Sequence, residues 1–341
     1  MARSEEFGPP VEVRAAGVSV AVTNPRKPMF PAVGLTKLDL VNYYLAVDEA
    51  IMRTVRDRPT LLQRFPNGVD GSSFFQKRIP DSAADWLQTT TVSTPNGTTS
   101  RAIVMADIAH VVWAANLGCL GFHPWPYRAD DPDQTDELRI DLDPSPGVTF
   151  AMVQEAATEV KTLLDDLGIA SFVKTTGNRG LHVYARVEPG WDSFGVRQAA
   201  VGLARILAEQ RPDLITGNWW KEERGARVFI DFNQNAPHKT VFGAWCVRQR
   251  AEAQVSTPFA WAELDDLVPD DLTIPTVMDR LVDLGDPWAT IDDEPASIAP
   301  LVERYERDLA AGVPDAPWPP VYPKMPDEAP RVQPSRARKP H

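Results

Sequence analysis

Apolar positions are most regularly spaced in the middle of the chain. Leu138, Ile140 and Leu142 alternate with Arg139, Asp141 and Asp143, the period of a strand with one buried face. Residues 150–167 carry apolar groups at i, i+3 and i+4, with Thr149 placed to cap the helix start and Gly168 to end it. Ser171 to Lys174 reads as a second strand and Leu181 to Val187 as a third. Residues 194–210 read as a helix stopped by Pro212, and Arg227 to Phe232 as a fourth strand. That order, β-α-β-β-α-β, is the split arrangement of ferredoxin-like and RNA-recognition folds, with the fourth strand beside the first. Asp231 is therefore expected close to Asp141 and Asp143, despite the length of chain between them.

The flanking regions are less periodic. Thr36 with Asp39 has the spacing of a capping box without the usual Glu, and Leu38, Val41, Tyr44, Leu45 and Ile51 keep helical spacing to about residue 55. From Pro59 to Ala102 short apolar runs alternate with turns, marked by Asn67-Gly68 and Asn96-Gly97. Residues 312–341 hold nine of the 32 prolines and read as an extended tail, partly wrapped on the body through Trp318 and Tyr322, with a solvated basic end. The fold class expected is α+β.

Composition narrows the function classes. With 341 residues, 43% of them hydrophobic, the chain can bury a full core. Cys119 and Cys246 sit apart in apolar runs, which offers neither a disulfide framework nor a zinc cluster and suits a reducing cytosol. The first ten residues lack the pattern of a signal peptide, and no stretch approaches the roughly 18 apolar residues that span a bilayer. The expectation is a soluble, cytoplasmic protein with no membrane partner. A net charge of -12 excludes a global basic field for nucleic acid, though a local basic groove stays open. Cations cluster along the sequence at Arg26, Lys27 and Lys37; at Lys77 and Arg78; at Lys221, Arg224 and Arg227; and at Lys239, Arg248 and Arg250.

The candidate chemistry lies on the first and fourth strands. Residues i and i+2 of a strand point to one face, about 6–7 Å apart, so Asp141 and Asp143 project side by side. Their repulsion raises one pKa unless a cation removes it. Oxygen ligands of this kind suit Mg²⁺ or Mn²⁺, and three carboxylates can hold two ions roughly 3.5–4 Å apart for phosphoryl or nucleotidyl transfer. D-x-D alone is a common acidic strand end. Asp231 adds weight, because in VFIDF an unpaired carboxylate would be costly to bury. Between the second and third strands stands KTTGNRGLH: Gly177 and Gly180 permit a tight turn that exposes N–H groups, and Thr176, Arg179 and His182 can reach phosphate oxygens.

Taken together, Asp141-Leu-Asp143, Thr176-Gly-Asn-Arg-Gly-Leu-His182 and Asp231 within VFIDFNQN resemble the archaeo-eukaryotic primase superfamily, most closely the bacterial primase-polymerases typified by the polymerase domain of ligase D. The likeness extends over residues 18 to 285 and includes NPRKPMFPAVGLTK, RFPNGVDGSSFFQK and WCVRQR. It implies a catalytic domain over 1–290, with an N-terminal α/β portion at 18–135 and a catalytic sheet at 136–250, followed by an extension at 291–341. It implies that Asp141, Asp143 and Asp231 bind two Mn²⁺ or Mg²⁺ ions and carry catalysis. Thr176, Gly177, Arg179, Gly180, His182, His123, Gln234, Arg248, Arg224 and Lys221 would serve the nucleotide. Phe74, Phe75, Lys77 and Arg64 would meet template DNA, the two rings by stacking, and Lys27 and Lys37 would hold a 5′-phosphate. Gln63 stands where relatives carry lysine; Thr176 replaces serine and Arg179 replaces lysine.

The activity implied is a DNA-dependent nucleotidyltransferase that adds NTPs or dNTPs, with preference for ribonucleotides, to 3′ ends at gaps or breaks. Its partners would be gapped or broken template-primer DNA, a DNA ligase and other repair proteins, with a nucleoid-associated location. Read as a chain without an attached ligase or nuclease, it is expected to resemble a stand-alone actinobacterial primase-polymerase of the type associated with ligase C. A metal-dependent nuclease would use the same carboxylates but has no need of a triphosphate turn, and a non-catalytic DNA end-binding module has no need of three intact aspartates.

Overall fold

A computed structural model describes residues 6–94 and 97–319. Asn96, Tyr322 and the rest of the Pro-rich tail from 320 onward lie outside the described residues.

Small antiparallel units build the N-terminal half. β1 (Val11–Ala15) pairs with β2 (Val18–Val22), and β3 (Pro28–Phe30) with β4 (Leu35–Thr36). The helical pattern to residue 55 resolves into two helices, α1 (Lys37–Ala46) and α2 (Asp48–Val55), instead of one. Val47 breaks it: its backbone leaves helical geometry while its side chain is fully buried, so packing overrides the spacing. Thr36 and Asp39 cap α1 reciprocally, the Thr36 N–H donating to the Asp39 carboxylate at 2.8 Å. β5 (Pro59–Arg64) then forms the centre of a five-stranded sheet, with β6 (Phe74–Gln76) and β8 (Thr99–Val104) on one side, β9 (Cys119–Pro124) on the other, and β7 (Thr89–Ser93) beyond β8; α3 (Ile108–Asn116) precedes β9.

The second sheet carries the expected split arrangement. β10 (Glu137–Pro144) leads to α4 (Phe150–Asp166), capped by the Thr149 hydroxyl and followed by Gly168 in the left-handed region. Then come β11 (Phe172–Thr175), β12 (Leu181–Arg186), α5 (Ser193–Gln210), β13 (Ile215–Thr216), β14 (Val228–Ile230) and β15 (Pro258–Phe259). The six strands lie in the order β13-β14-β10-β12-β11-β15, so the expected fourth strand, β14, does stand beside the first, β10, both antiparallel. β14 is shorter than the sequence pattern suggests. It stops at Ile230, and Asp231 begins a 3-10 turn, Phe232–Asn235, whose Asn233 N–H it caps.

One continuous core joins both sheets to α6 (Ile274–Leu284) and α7 (Ala299–Ala310). Among the described residues no helix is long and apolar enough to cross a membrane.

Candidate active site

Register brings the acidic residues together. Asp141 lies opposite His182 on β12, and the Asp231 N–H donates to the Asp141 carbonyl at 3.0 Å, which fixes one backbone against the other. The two carboxylates share one side chain: Gln234 Nε2 donates to Asp231 Oδ2 at 2.9 Å and to Asp141 Oδ2 at 3.3 Å. Asp143 stands two residues along β10 with 58% of its side chain exposed, its nearest cation Arg224 at 3.9 Å. Among the described residues no three His, Cys, Asp or Glu side chains already surround one point at metal-holding range. The structure thus supplies a preset pair, Asp141 and Asp231, with the more exposed Asp143 two residues along β10.

Electrostatics mark the pair as incomplete. Burial pushes the Asp141 carboxyl up to about 6, with Lys174 and Arg248 opposing the shift. Burial and the neighbouring Asp141 charge push Asp231 up to about 6. Asp143 is raised by burial and by Asp141. Crowded hard oxygens with unbalanced negative charge fit a divalent cation such as Mg²⁺ or Mn²⁺. Because the folded-state values lie above the ordinary carboxylate range, the metal-free protein binds extra protons as pH falls through 6. These two carboxyls therefore contribute stability that is present towards pH 5 and lost as pH climbs through 6. We expect Asp231→Asn to stabilise the metal-free protein at pH 7.5 by about 1–3 kcal/mol, and by less at pH 5. Thermal melts with chelator at the two pH values check this; equal effects at both would contradict it.

The glycine turn lies against β10, beside Asp141 and Asp143. Gly177 has a φ of +70°, and a Cβ there would stand 2.6 Å from Arg248 Cγ; a Cβ on Gly180 would stand 2.6 Å from the Leu142 carbonyl oxygen. Only glycine lets this loop pass so close to β10. The N–H groups of Asn178 and Gly180 do not point outward as the sequence suggested: both donate to Thr176 Oγ1 at 3.2 Å. The hydroxyl accepts both and retains its own proton for a further acceptor. Arg248 braces the turn from outside it, donating from Nε to the Thr176 carbonyl at 2.6 Å while its guanidinium centre lies 3.5 Å from the Phe242 ring centroid. Burial lowers its pKa to about 10, so it stays cationic at neutral pH. His182 Nε2 stands 3.3 Å from Asp141 Oδ1, and Nδ1 is buried with no partner among the described residues. Burial, then Lys174 and Arg248, hold this imidazole neutral.

These groups line a cavity of about 200 Å³ bounded by Asp141, Asp143, Thr176, Arg179, His182 and Arg248. Arg179 is exposed on its rim.

A second group of candidates stands apart, on the β5 sheet. His123 lies between the rings of Phe75 and Phe242, 5.3 and 5.2 Å centroid to centroid. Its Nε2 is 3.4 Å from Gln63 Oε1, and burial with Arg248 and Lys174 holds its pKa down near 3. Phe242, shared by His123 and Arg248, joins this group to the turn. Phe74 and Phe75 on the edge strand β6 are 46% and 55% exposed, so neither is a core residue. Arg64 holds β6 by donating to Gln76 Oε1 at 2.6 Å and lies 5.2 Å from the Phe74 ring, and Lys77 beyond the strand is exposed.

Lys27 and Lys37 meet across the β3–β4 hairpin, the Lys37 N–H donating to the Lys27 carbonyl at 2.8 Å. Burial, then the neighbouring Lys27 and Arg64 charges, lower the Lys37 pKa to about 8. Arg224 is buried, donating to the Asn218 and Trp219 carbonyls and stacked 3.5 Å from the Phe229 centroid. It and the exposed Lys221 flank Asp143, not the turn.

Two contributors were missed in the sequence. Lys174, fully buried, donates to Ser256 Oγ at 2.7 Å and to the Phe242 carbonyl at 3.1 Å, tying the turn's leading strand to the segment that bears Arg248. The only signal was a lysine among buried strand positions. Asn233 is the other; its signal was the Asp-x-Asn spacing that favours a capped turn.

A family model described as LigD, primase-polymerase domain, matches residues 36–288. Over 331 residues the chain is 34% identical to the multifunctional non-homologous end joining DNA repair protein LigD of Mycobacterium tuberculosis, a match that covers 94% of this chain and 43% of that protein. To the bifunctional non-homologous end joining protein LigD of Bacillus subtilis it is 32% identical over 268 residues, covering 77% of the chain and 43% of the relative. The match thus spans less than half the length of these relatives. Among solved structures, the polymerase domain from Mycobacterium tuberculosis ligase D in complex with DNA aligns with a TM-score of 0.76 and 33% identity, covering 81% of this chain and 99% of that one.

Proposed function

The chain belongs to the LigD primase-polymerase family, and from that membership we propose that it is a metal-dependent nucleotidyltransferase of DNA break repair, extending 3′ ends at gaps or breaks on a DNA template. The observation that carries this reading is Asp141, which shares Gln234 with Asp231 and lines one cavity with Asp143 and the Thr176–Gly180 turn. A nuclease would use the carboxylates but leaves the turn and Arg248 without work.

Two bound Mn²⁺ or Mg²⁺ ions would lower the pKa of the attacking 3′-hydroxyl and offset charge on the leaving pyrophosphate. Asp141, Asp231 and Asp143 would hold those ions. Arg248, Arg179, the Thr176 hydroxyl and His182 hold the triphosphate. His123, neutral by burial, meets the nucleotide by hydrogen bonding and ring contact rather than by charge. Phe74 and Phe75 stack against template bases, with Arg64 and Lys77 beside them. The preference is for ribonucleotides. The setting is the cytoplasm, on nucleoid DNA, with a ligase sealing the product.

The crowded cations at Lys27, Lys37 and Arg64 make a phosphate site, since an arriving dianion removes their mutual repulsion. Lys27→Ala with Lys37→Ala is expected to weaken binding of a gap bearing a 5′-phosphate about tenfold. The same gap with a 5′-hydroxyl should bind both forms alike, which a fluorescence-anisotropy titration reads; equal losses on both substrates would remove the assignment.

The function itself is tested by incubating the protein with Mn²⁺, labelled ribonucleoside triphosphates and a gapped duplex. Template-directed extension is the expected result. Shortening of the strands, or retention without change, overturns the reading in favour of a nuclease or a binding module.

A further inference from the structure

The turn that bears Asp231 is held by a piece of chain from well beyond the family match, which ends at residue 288. Asp231 Oδ1 accepts the Asn233 N–H at 3.1 Å. The buried Asn233 amide is held at both ends: its Oδ1 accepts from Arg197 Nε at 2.9 Å, and its Nδ2 donates to the Pro317 carbonyl at 2.9 Å. Arg197, on α5 and without solvent exposure, also donates to the Ala316 carbonyl at 2.8 Å and approaches Asp315 at 3.4 Å. Its guanidinium centre lies 3.7 Å from the ring centroid of Trp318. Trp318 is 7% exposed, donates from Nε1 to Asp315 Oδ2 at 2.9 Å and packs on Phe194 and Ala236.

We infer that residues 315–318 brace the Asp231 turn in its cation-holding position, with Asn233 and Arg197 as positioning residues. The inference rests on the reading of Asp231 as a ligand to the divalent cation. A 3-10 turn of four residues is weak by itself. This one must also hold a carboxylate against the repulsion of Asp141, so an outside support is needed. Removing the Trp318 ring takes away the stacking partner of a buried guanidinium. Arg197 and the Asn233 amide then lose their fixed geometry, and the Asn233 N–H that caps Asp231 moves with them.

The test uses the full chain and reads metal binding without nucleotide or DNA, from the electron paramagnetic resonance of free Mn²⁺. Trp318→Ala is expected to weaken Mn²⁺ binding about tenfold, within the range for lost support of a metal ligand. Trp318→Phe, which keeps a ring under Arg197, should bind Mn²⁺ within about twofold of the parent chain. Val112→Ala on α3, a fully buried position away from the brace, serves as the control for general destabilisation and should leave Mn²⁺ affinity unchanged. The inference is overturned if Trp318→Ala binds Mn²⁺ as the parent chain does, or if Val112→Ala weakens binding equally for the same loss of melting temperature. A parent chain that binds Mn²⁺ but extends no strand counts against the polymerase reading alone, and the brace is then judged on the affinities.

Discussion

Asp141→Ala combined with Asp143→Ala is expected to reduce strand extension by at least about 10³-fold while gapped DNA still binds. A factor of that size corresponds to about 4 kcal/mol of transition-state stabilisation, within what a metal clamp on transferring phosphoryl groups supplies. The pair carries two of the three carboxylates, and their loss leaves Asp231 alone to hold a cation. Unfolding does not offer an alternative explanation. Asp143 has 58% of its side chain exposed, and removing Asp141 takes away a partly buried carboxylate whose pKa is raised to about 6. The metal-free double variant should therefore melt no lower than the parent chain at pH 7.5. Single-turnover extension with saturating Mn²⁺, beside DNA binding by anisotropy, measures both halves; extension within tenfold of the parent would remove these residues from the chemistry.

Arg248→Ala is expected to raise the KM for nucleotide about 10- to 100-fold with a smaller change in kcat. A hydrogen bond to a charged group contributes roughly 1.5–3 kcal/mol, and the triphosphate is bound in ground state and transition state alike. The side chain also holds the turn, through the 2.6 Å bond from Nε to the Thr176 carbonyl. Arg248→Lys keeps a cation but loses the planar fork that stacks on Phe242 and grips Thr176 together, so it should fall between parent and alanine. Steady-state rates over a range of nucleotide concentrations decide it, and an unchanged KM would place the triphosphate elsewhere.

Much of the site could be read in the sequence because it lies on regular elements. The alternation around Asp141 and the 3.6-residue spacing of α4 and α5 follow from one buried face each, which is what sequence period records. The crossing of β14 beside β10 followed from element order alone. What the sequence concealed is irregular or distant. Asp231 looked like a strand residue because VFI is apolar, yet its carboxylate competes for a backbone N–H and turns the chain. The carboxylate pair is set by Gln234, whose reach to Asp141 depends on tertiary packing. The turn's inward N–H groups were equally hidden, since Thr176 captures them only when folded. β13 and β15, two residues each, carry no period at all. The Trp318 contact with the body was legible as an aromatic in a Pro-rich tail, but its partner Arg197 was not, because a helical arginine ordinarily faces solvent.

We propose that Asp141, Asp143 and Asp231 take up a divalent cation beside a bound triphosphate. Anomalous diffraction at the manganese edge, from crystals grown with Mn²⁺ and a non-hydrolysable ribonucleoside triphosphate, locates the ion directly. Manganese is expected between the carboxylates of Asp141 and Asp231, with Asp143 turned away from Arg224 to meet it and the triphosphate against Thr176 and Arg248. Manganese bound elsewhere, with Asp141 and Asp231 still bridged only by Gln234, would contradict it.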